Sequence, residues 1–227
     1  MRRPAWIVTD IEGTTTSISF VHDVLFPYAR ERMASFLKAK SSDEEVQAIV
    51  GGLEQRLELS GSEEVASVLE QWMSEDRKET ELKALQGILW RDGYLNGHFK
   101  GHVYDDVAPA LERWERVGIA LAVYSSGSVA AQKLLFAHCD GGDLDRYFSA
   151  NFDTTIGHKR ERTSYHLIVE RLGVPSDEIL FLSDIGAELD AAQSAGIEVL
   201  QLMRAGNERD PRFLAVESFD EIDRLWS

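Results

Sequence analysis

The residues best suited to chemistry stand where apolar runs of this sequence end. Asp10 and Glu12 follow the first run, and two later runs end in hydroxyl and carboxylate groups: Ser125 and Ser126 after residues 119–124, and Ser183 and Asp184 after residues 179–182. Lys159 stands in a glycine-containing loop between these two. Such a set predicts a site for Mg²⁺ and phosphate, because Mg²⁺ prefers carboxylate and phosphate oxygens and lysine acts as a point charge on phosphate.

These residues can meet only if the runs are parallel strands of one sheet. Short runs of β-branched or aromatic residues bounded by turn formers predict buried strands, whose carboxyl ends share the edge where ligands bind. Taken alone, Asp10 and Glu12 are typical of an ordinary strand that ends in an acidic turn. The later strand ends and the lysine loop supply partners, and they favour a site with Asp10 as its nucleophile.

The remaining sequence predicts elements that build such a sheet. Residues 20–97 show helical spacing of apolar side chains, with a capping box headed by Ser42. From Asp105 onward helices alternate with strands, which is typical of a parallel sheet with helices on both faces. We therefore predict an α/β fold with two parts: a Rossmann-like core of residues 1–19 and 98–227, and an all-helical cap subdomain, residues 20–97, inserted after the first strand.

Composition narrows the classes of partner. The 227 residues are 44% hydrophobic and 28% charged, which predicts a globular chain with a sizeable core. The formal net charge of -15 argues against nucleic acid and anionic membranes as partners, since phosphates attract clustered Lys and Arg. No apolar run suits a membrane span or a signal peptide, and the single Cys139 suits a reducing compartment. We expect a cytoplasmic monomer that acts on a small-molecule phosphate.

Several motifs of the chain resemble those of known proteins. Four of them resemble the motifs of the haloacid dehalogenase superfamily: Asp10 to Thr14, Ser125, Lys159 and Ser183-Asp184. Longer segments resemble one family within it, the enolase-phosphatases E1 of methionine salvage: Asp10 to Thr16, Leu25 to Tyr28, Tyr124 to Val129, Ala131 to Phe136, Phe152 to Lys159, and in the insert Asp76-Arg77-Lys78 and Leu82 to Gly87. The resemblance covers nearly the whole chain.

The resemblance implies a covalent mechanism and a substrate. Asp10 would attack the phosphorus of 2,3-diketo-5-methylthiopentyl 1-phosphate, and water would then hydrolyse the aspartyl phosphate. Three groups would hold Mg²⁺ and three would bind the substrate: Asp10, Asp184 and the backbone carbonyl of Glu12 for the metal, and Ser125, Ser126 and Lys159 for the substrate. The implied product is the acireductone, 1,2-dihydroxy-3-keto-5-methylthiopentene.

Glu12 departs from the usual pattern of the superfamily, which places Asp two residues after the nucleophile as general acid and then base. The extra methylene changes the reach of the carboxyl group, so Glu12 serves as the acid or suits the enolisation step of the family. The sequence assigns neither the enolisation base nor the cap residues that contact the methylthio chain. We interpret Glu188 as a helix N-terminal charge, with support of Lys159 or of metal-bound water as the alternative, and His158 as placed to touch substrate.

Two other functions fit the same residues. One is a different small-molecule phosphatase or phosphomutase on the same scaffold. The other is a phospho-aspartate signalling module, because receiver domains combine acids, a hydroxyl residue and a lysine around Mg²⁺; their acceptor Asp lies on the third strand, and they lack a helical insert. His98 and His102 have a spacing that can bind metal on a helix, but Gly97 and Gly101 break any helix there, so we interpret them as solvated loop residues.

Overall fold

The structure is a computed structural model that describes residues 1–75, 77 and 79–226. Asp76 and Lys78 of the insert motif lie outside the described residues. The chain divides into two compact units, one of residues 1–18 with residue 100 onward and one of residues 19–99. Within the described ranges, no helix is long and apolar enough to cross a membrane.

A parallel sheet forms the centre of the first unit. Its strands, over the described residues, are β1 Trp6–Thr9, β2 Ala120–Tyr124, β3 Phe148–Phe152, β4 Ile179–Ser183, β5 Glu198–Leu202 and β6 Ala215–Val216, in the order β3-β2-β1-β4-β5-β6. Every residue of β4 is buried, as expected for a strand covered on both faces. The α/β prediction is confirmed, although the two-residue β6 was not foreseen.

Helices connect these strands and build the second unit. The α-helices are α1 Ile18–Phe20, α2 Phe26–Ala39, α3 Glu44–Leu57, α4 Ser62–Ser74, α5 Thr80–Leu95, α6 Val107–Arg116, α7 Val129–Ala137, α8 Arg162–Leu172, α9 Gly186–Ser194 and α10 Phe219–Ile222. A π-helical turn, Val21–Leu25, joins α1 to α2. In the first unit α8 packs on α9 and α6 packs on α10, and Tyr165 and Leu189 share a core cluster with Val8 of the sheet.

The second unit has an apolar core of its own. Buried side chains from four helices form it, among them Met33, Leu53, Leu69 and Leu85. The predicted cap of α3 was one residue early. Asp43 rather than Ser42 caps this helix, because Asp43 has the extended backbone that precedes Glu44 and its carboxylate accepts from the N–H groups of the next turn at 3.1 and 3.2 Å.

The register of the sheet brings the predicted strand ends to one edge. Thr9 pairs with Val123 of β2 on one side and with Leu182 of β4 on the other. The residues that follow these strands therefore leave the sheet side by side. Strand order also switches between β1 and β4, because the chain first adds β2 and β3 on one side and then crosses to the other. Open α/β sheets bind ligands at such a switch point.

Candidate active site

Asp10 extends β1 beyond the edge of the sheet. Its backbone N–H donates to the Leu182 carbonyl at 2.9 Å, and the residue is only 3% exposed. Its carboxylate forms an ion pair with the ammonium group of Lys159. Burial raises the pKa of Asp10 well above its usual value; Lys159 opposes that shift, whereas Glu188 and Glu12 add to it. The nucleophile predicted from the sequence thus lies in an acidic cluster that more positive charge would stabilise.

Lys159 lies between two carboxylates. Its Nζ pairs with Asp10 and lies 2.6 Å from Oε2 of Glu188, which in turn accepts a hydrogen bond from Oγ of Ser183 at 2.9 Å. Burial alone would lower the pKa of Lys159, but the attraction of Asp10 and Glu188 outweighs it and raises the pKa, so the ammonium group stays charged. Glu188 lies in the first turn of α9, where it supports Lys159, the less favoured of its sequence-based interpretations.

Asp184 follows β4 and has a carboxylate oxygen without a donor. Its Oδ1 is buried and has no hydrogen-bond partner among the described residues. Burial raises the pKa of Asp184 to about 6. Gly13, at φ +79°, brings the backbone so close that a Cβ there would lie 2.7 Å from Cγ of Asp184. A buried acidic oxygen left without a donor is the kind of ligand that a hard cation takes.

The charges of the cluster also suit a divalent cation. The pKa values of Asp10 and Asp184 both respond to Glu12, Glu188 and Lys159, so four carboxylates share one ammonium group. Among the residues that the structure describes, no three His, Cys, Asp or Glu side chains are arranged to hold a metal ion. The predicted ligand set does not need three side chains, because it consists of two carboxylates and one backbone carbonyl, and a hard cation such as Mg²⁺ fits it.

Ser125 follows β2 and connects to Glu12. The residue is fully buried; its Oγ donates to Oε2 of Glu12 at 3.4 Å and accepts from the N–H of Gly127 at 3.2 Å. The structure thus brings the predicted phosphate-binding hydroxyl to the predicted acid. Ser126 beside it is exposed, and its assignment to substrate binding stays a prediction.

Two residues that were not predicted from the sequence donate hydrogen bonds to the loop after the nucleophile. Asn207 Nδ2 donates to the carbonyl of Gly13 at 2.8 Å, and Arg204 Nε donates to that of Thr14 at 3.0 Å. Arg204 is 9% exposed and its Nη2 lies 2.9 Å from Oδ2 of Asp106. Both donors follow β5, so the search of strand ends that identified Asp10, Ser125 and Asp184 could have found them.

The histidines differ from their sequence-based interpretation in one case. His98 is exposed, with Nδ1 2.7 Å from the hydroxyl group of Tyr28. His102 is half-buried, and its Nδ1 lies 3.1 Å from Oγ1 of Thr16 and accepts a backbone N–H, so the interpretation as a solvated loop residue is wrong there. His158 is exposed next to the lysine, and its contact with substrate stays a prediction.

Known proteins are similar to this chain over nearly its whole length. The sequence profile of the haloacid dehalogenase-like hydrolases matches residues 5–196. The enolase-phosphatase E1 of Klebsiella oxytoca is 55% identical over 218 residues, which are 95% of each chain. That of Serratia proteamaculans is 53% identical over 219 residues, which are 96% of each chain.

Solved structures agree with this similarity. The Unknown transcript 4 protein of Saccharomyces cerevisiae superposes with a TM-score of 0.84 at 34% identity, over 96% of this chain and 99% of that one. CbbY from Rhodobacter sphaeroides in complex with phosphate superposes with a TM-score of 0.63 at 18% identity over 96% of each chain, which shows the fold alone. The topology excludes the receiver-domain alternative, because Asp10 follows the first strand and the chain forms a helical unit between β1 and β2.

Proposed function

We propose that this chain serves methionine salvage. It belongs to the haloacid dehalogenase-like hydrolases and, within them, to the enolase-phosphatase E1 family. It converts 2,3-diketo-5-methylthiopentyl 1-phosphate through its enol to 1,2-dihydroxy-3-keto-5-methylthiopentene and orthophosphate. One observation carries the proposal. The buried pair of Asp10 and Lys159 lies at the switch point of the sheet, where a nucleophile and a phosphate-binding cation are needed.

The two chemical steps take place on neighbouring atoms. The product has a double bond between its carbons 1 and 2, so the proton lost in enolisation leaves carbon 1, which also carries the phosphate ester. A base takes this proton, the electron pair of the C–H bond forms the new double bond, and the carbonyl oxygen of carbon 2 takes up a proton from the protonated base or from water to become the enol hydroxyl. Because proton loss and phosphoryl transfer are this close, a single site serves both.

The phosphoryl group then passes to the protein. An Asp10 oxygen forms a bond to phosphorus as the ester P–O bond breaks, and the ester oxygen takes a proton from Glu12 to become the hydroxyl group of carbon 1. Glu12 next accepts a proton from the water that hydrolyses the aspartyl phosphate, which releases orthophosphate and restores Asp10. Lys159 and the hydroxyl group of Ser125 bind the equatorial phosphoryl oxygens, and Ser126 contacts the rest of the substrate.

Asp10, Asp184 and the backbone carbonyl of Glu12 would hold Mg²⁺ in this site. When bound there, the ion would supply positive charge that stabilises negative charge developing on the substrate oxygens. We assign the helical insert, residues 20–97, the role of a cap that excludes water and larger phosphates during turnover. The chain would act as a cytoplasmic monomer, in keeping with its single, buried Cys139.

The test measures enol and phosphate separately, with the diketo phosphate and with a plain phosphate ester. Asp10→Asn is expected to abolish phosphate release, whereas Asp177→Asn, at an exposed position of the same unit, is expected to keep it. Full Mg²⁺-dependent release by Asp10→Asn would show that Asp10 is not the nucleophile. Phosphate release from the plain ester without any enol from the diketone would instead establish a general small-molecule phosphatase.

A further inference from the structure

Three successive carbonyl groups of the lysine loop each accept a hydrogen bond from a hydroxyl group. The three bonds run from Tyr124 to Gly157 at 3.0 Å, from Ser164 to His158 at 2.8 Å and from Tyr165 to Lys159 at 2.8 Å. The donors come from two separate elements, since Tyr124 ends β2 while Ser164 and Tyr165 lie in the first turns of α8. The loop that carries Lys159 is thus tied to both the sheet and a helix.

Burial makes these bonds important for the shape of the loop. Tyr124, Ser164 and Tyr165 are each at most 1% exposed. The bond from Tyr165 to Lys159 is buried and the other two are partly buried. A carbonyl group shielded from water that loses its donor destabilises the fold, so the hydroxyl groups restrict the conformations that the loop can adopt. Gly157 adds to this restriction: it has φ +136°, and a Cβ there would collide with Oγ of Ser164.

Packing alone does not account for the tyrosines. The rings of Tyr124 and Tyr165 meet edge to face with centroids 5.6 Å apart, and Tyr165 meets Phe181 at 5.2 Å. A phenylalanine ring could make the same contacts. Burial raises the pKa of both tyrosines, so each hydroxyl group keeps the proton that it donates. The hydroxyl groups add hydrogen bonds that fix the position of the backbone around the lysine.

We propose that Tyr124, Ser164 and Tyr165 are positioning residues for Lys159. Lysine has a flexible four-carbon stem, so the place of its ammonium group depends on where the stem begins as well as on its ion-pair partners. By holding three carbonyl groups, the hydroxyl groups keep Nζ against Asp10, where the phosphoryl oxygens arrive. This inference rests on the proposed function, in which Lys159 binds those oxygens.

The test begins with Tyr165→Phe, and Tyr147→Phe is the matched control. Tyr147 lies in the same unit, and its hydroxyl group accepts from Arg146 at 2.8 Å. We expect Tyr165→Phe to lower kcat about tenfold and to weaken orthophosphate binding by a similar factor. Tyr147→Phe should leave both unchanged. Calorimetric titration with orthophosphate in Mg²⁺ measures the second quantity without substrate turnover.

A second pair of variants separates positioning from a general effect on the fold. Because the hydroxyl group acts through the lysine, adding Tyr165→Phe to Lys159→Met should lower the residual rate and the phosphate affinity no further. Equal losses in both backgrounds overturn the proposal, as does an unchanged kcat and phosphate affinity in Tyr165→Phe. If Tyr165→Phe fails to fold, Tyr124→Phe is judged by the same criteria.

Failure of the proposed function gives a different result. In that case the wild-type protein releases no phosphate from the diketo substrate. The comparison of orthophosphate affinities still tests the positioning of Lys159, because it needs only a bound anion.

Discussion

Asp184 allows the charge balance of the site to be tested through stability. It carries a buried carboxylate with one unpartnered oxygen, and burial raises its pKa from 3.8 to about 6. Asp184→Asn keeps the shape of the side chain and removes its charge. We expect this change, which should abolish catalysis, to stabilise the metal-free protein at pH 8.

The size of the effect follows from the shift in pKa. A raised pKa of an acid means that the folded protein binds a proton more tightly than the unfolded chain, so between about pH 4 and pH 6 stability falls as pH rises. One pKa unit corresponds to 1.36 kcal/mol, so the shift from 3.8 to about 6 costs the metal-free protein about 3 kcal/mol above pH 6. Asp184→Asn removes this cost at pH 8, and its advantage should disappear near pH 4.

The assay is urea denaturation with EDTA at pH 4 and at pH 8, repeated at pH 8 with Mg²⁺. Asp177→Asn, at an exposed position, is the control and should differ little from the wild type at either pH. A saturating ligand that binds only the folded state adds about 2.7 kcal/mol at 100 times its Kd. Mg²⁺ should therefore stabilise the wild type and have little effect on Asp184→Asn. A less stable Asp184→Asn in EDTA at pH 8, or an equal gain from Mg²⁺, would refute the reasoning.

Two further changes test the acid and the loop behind the nucleophile. Glu12→Gln is expected to slow phosphate release by about 10²–10⁴-fold, because the leaving oxygen loses its proton donor, while thermal denaturation stays close to that of the wild type; a full rate would contradict the role of Glu12. Arg204→Met should lower the free energy of unfolding by about 3 kcal/mol, because Asp106, whose side chain is only 12% exposed, loses its cation, and adding Asp106→Asn should restore part of the loss. Urea denaturation measures the free energy of unfolding of the single and the double variant, and Arg116→Met, at an exposed ion pair, is the control. Equal losses of stability in Arg204→Met and Arg116→Met would refute the buried-charge argument.

The fold could be predicted because its strands and the ends of its helices are marked by local sequence patterns. Residues 179–182 form one apolar run, and the structure buries all of β4. Gly173 and Gly196 each follow a helical pattern of apolar residues, which is typical of a helix end, and they have φ of +69° and +86° after α8 and α9. The short β6 and α10 were missed, since two and four residues are too few to show a hydrophobic period.

Only part of the site could be predicted. The end of a strand is visible in a sequence, so Asp10, Ser125 and Asp184 could be placed together on one edge. The partner of a helix residue is not visible: Glu188 contacts Lys159 only because a loop 29 positions earlier folds back over the sheet. For the same reason the sequence indicates no acceptor for the hydroxyl group of Tyr165, which lies in an apolar stripe that is typical of core packing.

The contacts of the acidic side chains distinguish their roles more clearly than their positions in the sequence do. Asp10 and Glu188 are both held by Lys159, and Ser183 holds Glu188 as well. A carboxylate held in a buried ion pair exchanges a proton only if the pair breaks, which suits a nucleophile or a support but not a general acid. Glu12 is half-buried, and its bond to Ser125 is long, at 3.4 Å. These contacts support the proposal that Glu12, rather than Asp10 or Glu188, gives a proton to the leaving oxygen and takes one back from water.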